Sequence, residues 1–85
     1  MQHIVVHPRV NRKRPEIENV DAIAAWRNAI AVKQRRHSQP VQHIAAGADT
    51  KGRMLQVLAV EFGKNDLLIY HAMKLTASTR KELGL

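Results

Sequence analysis

The chain contains no cysteine, one Trp, one Tyr and one Phe, four glycines and three prolines in 85 residues. Without cysteine there is no disulfide framework, no thiolate nucleophile and no Cys-type zinc site, so a domain this small must be held by packing or by a partner chain. The glycines stand singly at 47, 52, 63 and 84, where turns or helix ends need them. No phosphate-cradling glycine loop is present, which argues against nucleoside triphosphate or dinucleotide binding. Only Ser38 and Ser78 could supply a serine nucleophile, and neither sits in a glycine-flanked elbow. Long apolar runs are also missing. Nothing approaches the roughly 20 residues that span a bilayer, and the opening MQHIVVHPRV has neither the apolar run nor the cleavage site of a signal peptide. A cytoplasmic protein without membrane contact is expected. His3 and His7 lie four apart, but no nearby carboxylate or cysteine completes a ligand spacing, so no metal and no other cofactor is expected.

Acidic residues are few: seven Asp+Glu face fourteen Lys+Arg, a formal charge of +7. With 45% apolar residues the chain is too apolar for a disordered tail and long enough for one modest core, a single domain over 1–85. A polyanion is the natural partner for this charge. Residues 1–42 hold eight basic and three acidic side chains, and 43–85 six and four, so the excess lies in the first half. It is concentrated in Arg9, Arg12, Lys13 and Arg14, closed by Pro15, and in Lys33, Arg35, Arg36 and His37, closed by Pro40. Charge runs of this kind ordinarily lie on wet surface; two in one small domain point to a phosphate-facing surface.

Periodicity then gives a layout. Met1 to Val6 reads as a short strand or extended arm stopped by His7-Pro8, and residues 1–16 as a basic N-terminal arm ahead of a folded core over 17–85. Val20, Ile23, Trp26 and Ile30 recur at spacings of three and four, which predicts an amphipathic helix of about three turns capped by Asn19, with Trp26 anchoring it to a sheet. Arg35 to Pro40 is a polar connection. Val41–Ala46, Arg53–Phe62 and Leu67–Leu75 read as strands, joined by turns at Asp49–Gly52 and Gly63–Asp66. Leu67, Ile69, His71 and Met73 are expected on one side of the last strand, and Leu68, Tyr70, Ala72 and Lys74 on the other. That strand, apolar on both sides, is expected to be central. Thr79 to Glu82 has capping-box spacing and opens a short C-terminal helix. The expected fold is therefore α+β: an N-terminal amphipathic helix, a three-stranded antiparallel sheet and a short C-terminal helix.

His71 sits inside a strand built for burial, three residues before Lys74. A histidine hydrogen-bonded within the core is the plain reading. The functional one is RNA cleavage without metal, which needs a base for the 2′-hydroxyl, cations for the phosphorane and an acid for the leaving oxygen. His71, Lys74 and Arg80 are the candidate catalytic residues. Arg12, Lys13, Arg14, Arg35, Arg36, Arg53 and Lys81 are the candidate RNA-binding residues, with Arg53, Arg80 and Lys81 expected to converge where the last strand meets the C-terminal helix.

Three stretches carry a likeness to a known family: Arg14 to Asn28 (RPEIENVDAIAAWRN), His43 to Gly47 (HIAAG) with Lys51 to Leu58 (KGRMLQVL), and Ile69 to Thr76 (IYHAMKLT) followed by Arg80-Lys81-Glu82. In this order they resemble the BrnT family of small toxins, which share the RelE-like ribonuclease fold and are neutralised by a cognate antitoxin. The likeness covers most of residues 12–85. The arginine of the family's "S-A-R" strand end falls on Met73, its serine on His71, and the glutamate of its following helix on Thr79, while an arginine is kept near Arg80. The resemblance implies a toxin-like, ribosome-independent endoribonuclease with RNA as substrate and an antitoxin or other protein as partner. The alternatives are a non-catalytic nucleic-acid- or protein-binding module of the same fold and a structural subunit of a larger complex. Homodimerisation through an edge strand is compatible with all three.

Overall fold

The computed structural model describes residues 3–37 and 39–85; Met1, Gln2 and Ser38 lie outside them. The elements run β1 (His3–Val6), α1 (Arg9–Lys13), α2 (Asn19–Arg27), β2 (Ala29–Arg35), β3 (Gln42–Ala48), β4 (Met54–Phe62), β5 (Asp66–Lys74) and α3 (Ala77–Glu82). The five strands form one mixed sheet in the order β1-β5-β4-β3-β2. β1 pairs parallel to β5, and the other neighbours are antiparallel. The class is α+β, but the expected three-stranded antiparallel sheet with an N-terminal helix is incorrect: two more strands and one more helix are present.

Both extra strands have a physical origin. The helical period that seemed to run through Ile30 ends at Asn28, which caps α2 with its amide bonded to the Ala24 carbonyl 2.8 Å away. The chain then alternates as β2 along β3, from Ala29 opposite Gly47 to Arg35 opposite Gln42. Ile30 is 67% exposed and belongs to no helical stripe. At the other end, residues from 3 onward join the domain rather than trailing from it. Ile4 and Val6 lie beside Leu67 and Ile69 on β5, and α1 follows against the same strand. This makes β4, not the last strand, the middle of the sheet.

One face of the sheet packs on α2. Leu55, Val57 and Ala59 of β4, Ala45 of β3, and Leu67, Ile69 and Ala72 of β5 meet Ala22 and Ala25 of α2, with Val10 and Ile17 completing the core. Trp26 packs against this cluster and meets the buried His43 ring edge-on, centroids 6.4 Å apart, as the helix anchor it was expected to be. Small residues bring α2 close. A Cβ at Gly47 would stand 2.1 Å from the Ala25 carbonyl oxygen, so β3 passes beneath the helix end only because position 47 has no side chain.

The second face is held by α3. Its N-cap is Thr76, whose hydroxyl accepts from the Thr79 amide, one turn earlier than the Thr79 cap expected from the T-x-x-E spacing. The Thr76 amide donates to Gln56 Oε1 on β4 at 2.9 Å, and Glu82 at the far end reaches Arg35 on β2. By strand alternation Gln56, Ile44 and Arg35 lie on the face away from α2. So short a helix is stable because it is docked, above all at its start, where Thr76 is bonded to Gln56 and Thr79 is buried. Among the described residues no helix is long and apolar enough to cross a membrane.

Candidate nucleic-acid interface

A β-bulge decides which side chains reach the second face. Leu58 of β4 pairs with His71 and Ala59 with Ile69, so Tyr70 is an extra residue without a partner across the strand. Such an insertion reverses the alternation beyond it. Leu67 and Ile69 lie on the α2 face, but past the bulge it is Ala72, not His71, that returns to the core. His71 and Met73 therefore share the second face with Leu58 and Gln56, opposite the side expected from an unbroken period of two. Lys74, opposite the buried Leu55, falls on the other face and does not join His71.

α1 brings the first basic cluster to this place. The His7 amide donates to the Ile69 carbonyl at 2.8 Å, so α1 starts where β1 leaves β5 and runs along the segment that carries the bulge. Arg14 Nη2 comes within 3.9 Å of the Met73 sulfur. Burial, then the charges of Arg14, Lys13 and Arg9 in that order, push the His71 imidazole below its ordinary value, and the ring is neutral at pH 7. Tyr70 is pushed the other way. Burial disfavours its phenolate against the opposing pull of Arg35 and Arg9, so the phenol keeps its proton. Its hydroxyl lies near Gln42 without a hydrogen bond of good geometry. With Arg14 Nε, it is one of the two buried side-chain polar atoms without a partner among the described residues. Such atoms are rare and costly in a packed domain.

The other candidates are distributed as follows. Arg12 and Lys13 are exposed on α1, and Arg80 and Lys81 are exposed on α3 without contributing to the His71 environment. Arg35 is held by Glu82 through two parallel bonds, Nε to Oε2 at 2.8 Å and Nη2 to Oε1 at 2.7 Å. Beside this pair, Lys33, Gln34, Arg36 and His37 line a surface groove of about 460 Å³.

Arg53 belongs to a different structure. Its Nε donates to Asp49 at 2.6 Å, and its Nη2 approaches Asp21 at 3.4 Å and the Glu16 carbonyl at 3.1 Å. Asp21, fully buried, also accepts from the Glu18 amide at 3.0 Å and from the Thr50 hydroxyl. Burial works against ionisation of Asp21, but the Thr50 and Glu18 hydrogen bonds and the charges of Lys51 and Arg53 hold its carboxyl below the usual range. The same balance, with Arg53 and the Lys51 amide as donors, lowers Asp49. This network clamps the β3–β4 turn to the first turn of α2. It occupies Arg53, so the expected convergence of Arg53 with Arg80 and Lys81 near His71 is not found.

Tyr70, Arg9, Gln42 and Glu82 are the residues here that the candidate set missed. The signal for Arg9 was its place in the first basic cluster; Tyr70 gave none, because both sides of β5 are apolar. No family model matches the chain, and no curated protein or solved structure matches it.

Proposed function

We propose that the protein binds RNA on the second face of its sheet and cleaves it without metal, with His71 as general base. The observation that carries this reading is the bulge at Tyr70, which turns a neutral His71 imidazole to the face toward which α1 brings Arg14, Lys13 and Arg9. His71 takes the proton of a 2′-hydroxyl, and the 2′-oxygen attacks the adjacent phosphorus. Arg14 and Lys13 counter the charge on the phosphorane. The bond from phosphorus to the 5′-oxygen breaks, and a solvent water donates the proton that this oxygen needs, since the Tyr70 hydroxyl is buried. The products are a 2′,3′-cyclic phosphate and a 5′-hydroxyl. The resemblance of three stretches to BrnT-family toxins supports the same activity, and with it an antitoxin as protein partner. The basic clusters and the +7 charge support a polyanionic substrate.

The test is incubation of the purified protein with single-stranded RNA in EDTA at low salt. Cleavage to cyclic-phosphate ends is expected, with DNA of the same sequence left intact because it lacks the 2′-hydroxyl. His71→Ala is expected to lose about 10²–10⁴-fold in rate while binding RNA as before. The rate should rise with pH through a value below 6.5 and be level at neutrality, because a base with a lowered pKa is already deprotonated there. A second reading, a binding module without chemistry, is favoured by the absence of Lys74 and Arg80 from the His71 environment. It predicts intact RNA and affinity that falls steeply with salt.

A further inference from the structure

The two basic clusters, far apart in sequence, are brought to one face of the sheet, and a single ion pair closes one of them. Across the register, His71 of β5 aligns with Leu58, Ile44 and Lys33, placing Lys33 in the same row and on the same face three strands away. Arg35 stands two residues on, in the row of Gln42 and Val60. At about 4.8 Å per strand the two banks are about 14 Å apart, too far for one phosphate and suited to an extended strand. Tyr70 feels both Arg9 of the α1 bank and Arg35 of the β2 bank, and Gln42 lies on the path between them. A strand leaving His71 on the side of Tyr70 and Gln42 would reach the groove lined by Lys33, Arg35, Arg36 and His37 beside the end of α3.

Among the described residues Arg35 is the one cation of this second bank held in an ion pair. Glu82 meets it fork to fork at 2.7 and 2.8 Å, the bidentate geometry that a guanidinium offers to a phosphate. The pair is on the surface, with side-chain exposures of 36% for Arg35 and 26% for Glu82, so water and ions reach it. A partly exposed pair of this kind contributes modestly to stability and can be exchanged. Glu82 is the last residue of α3, whose other end is tied separately to Gln56 through Thr76, so Glu82 can let go without undocking the helix start.

We propose that Arg35 is a second phosphate subsite for the RNA strand, and that Glu82 occupies it in the free protein as an internal mimic of phosphate. This rests on the reading that the second face takes RNA and adds where the strand leaves the His71 site and what it must displace. A phosphate reaching Arg35 exchanges one anionic partner for another, and the released Glu82 carboxylate becomes hydrated. Short RNA that covers only the α1 bank leaves the pair intact. A longer strand opens it.

The experiment is equilibrium binding of a single-stranded RNA long enough to span both banks, measured against salt for the wild type, Glu82→Gln, Arg35→Gln and the double variant. Circular dichroism checks that each is folded. The strand no longer has to displace a carboxylate, so Glu82→Gln is expected to bind about fivefold tighter at 0.1 M salt with the log–log slope of the wild type, because the number of phosphates contacted is the same. Arg35→Gln is expected to weaken binding and flatten the slope by about 0.7, and the double variant to match Arg35→Gln. A dinucleotide should not distinguish any of them. Wild-type binding with Glu82→Gln unchanged in affinity overturns the subsite while the RNA-binding reading stands. If Glu82→Gln does not fold, Arg35→Gln decides alone: an unchanged slope rejects the proposal. No salt-dependent RNA binding by the wild type removes the reading itself and the subsite with it.

Discussion

Arg53 and Arg14 occupy regions that treat the same guanidinium in opposite ways. Arg53 is surrounded by acceptors: two buried carboxylates and a backbone carbonyl take its protons, and those carboxylates are further bonded to Thr50, Glu18 and Lys51. Arg14 sits against β5 with its Nε buried and without a partner among the described residues and its Nη2 3.9 Å from the Met73 sulfur. The first arrangement is closed at Nε and Nη2, whose hydrogen bonds are made within the domain. The second is open, and a bound anion would complete it. Charge alone does not separate the two regions, since basic residues are present in both. Satisfaction of hydrogen bonds does, and it moves the candidate site away from the β3–β4 turn and onto the face that carries His71.

The most severe way to break this contrast is to open the closed region. Asp21→Ala removes the acceptor shared by the Glu18 amide, Thr50 and Arg53 and leaves the partly exposed Arg53 with Asp49 as its one carboxylate. A loss of about 2–3 kcal/mol is expected in denaturant unfolding, since three donors lose an acceptor at once. Under conditions where the variant is still folded, its RNA affinity should match the wild type. A selective loss of RNA binding would return Arg53 to the interface.

Acid should do the same more gently. Asp21 and Asp49 have carboxyls held below the usual aspartate value, so the unfolded chain binds protons more tightly than the folded one. Their contribution is complete above the unfolded value near pH 4 and is lost as the pH falls through the lower folded values. Glu82, lowered first by its hydrogen bonds to Arg35, adds to the same window. Unfolding followed by fluorescence of Trp26 from pH 7 to pH 2 should show level stability down to about pH 4 and a decline below it. A decline beginning near pH 6 would instead implicate His71.

What the sequence made legible follows from how local each signal is. The two hairpins over β3 to β5 were legible because their turns carry Asp49–Gly52 and Gly63–Asp66, and turn chemistry acts over four residues. β2 was hidden because no glycine or proline separates it from α2, and Ile30 falls four residues after Trp26, so the helical period runs on past the true end at Asn28. The parallel pairing of β1 with β5 joins residues more than sixty positions apart, beyond the reach of any periodicity. At the site, His71 and the α1 cluster stood out by residue type. Their meeting did not, because it depends on a bulge inside a strand that is apolar on both sides.

The smallest expected change in stability is also the sharpest test of the open region. Tyr70→Phe removes a buried hydroxyl that has no hydrogen-bond partner and leaves the ring in place. A hydroxyl of this kind is a desolvation cost in the free protein, so stability should be unchanged or raised by up to about 1 kcal/mol. The buried hydroxyl does not reach a bound strand, so cleavage and RNA affinity should both be nearly unaffected. In the closed region the stability change has the opposite sign, since replacing a satisfied polar group there costs stability and leaves RNA binding untouched. A Tyr70→Phe protein that is less stable and equally active would mean that the hydroxyl finds its partner within the domain, and the second face would then be as closed as the surroundings of Arg53.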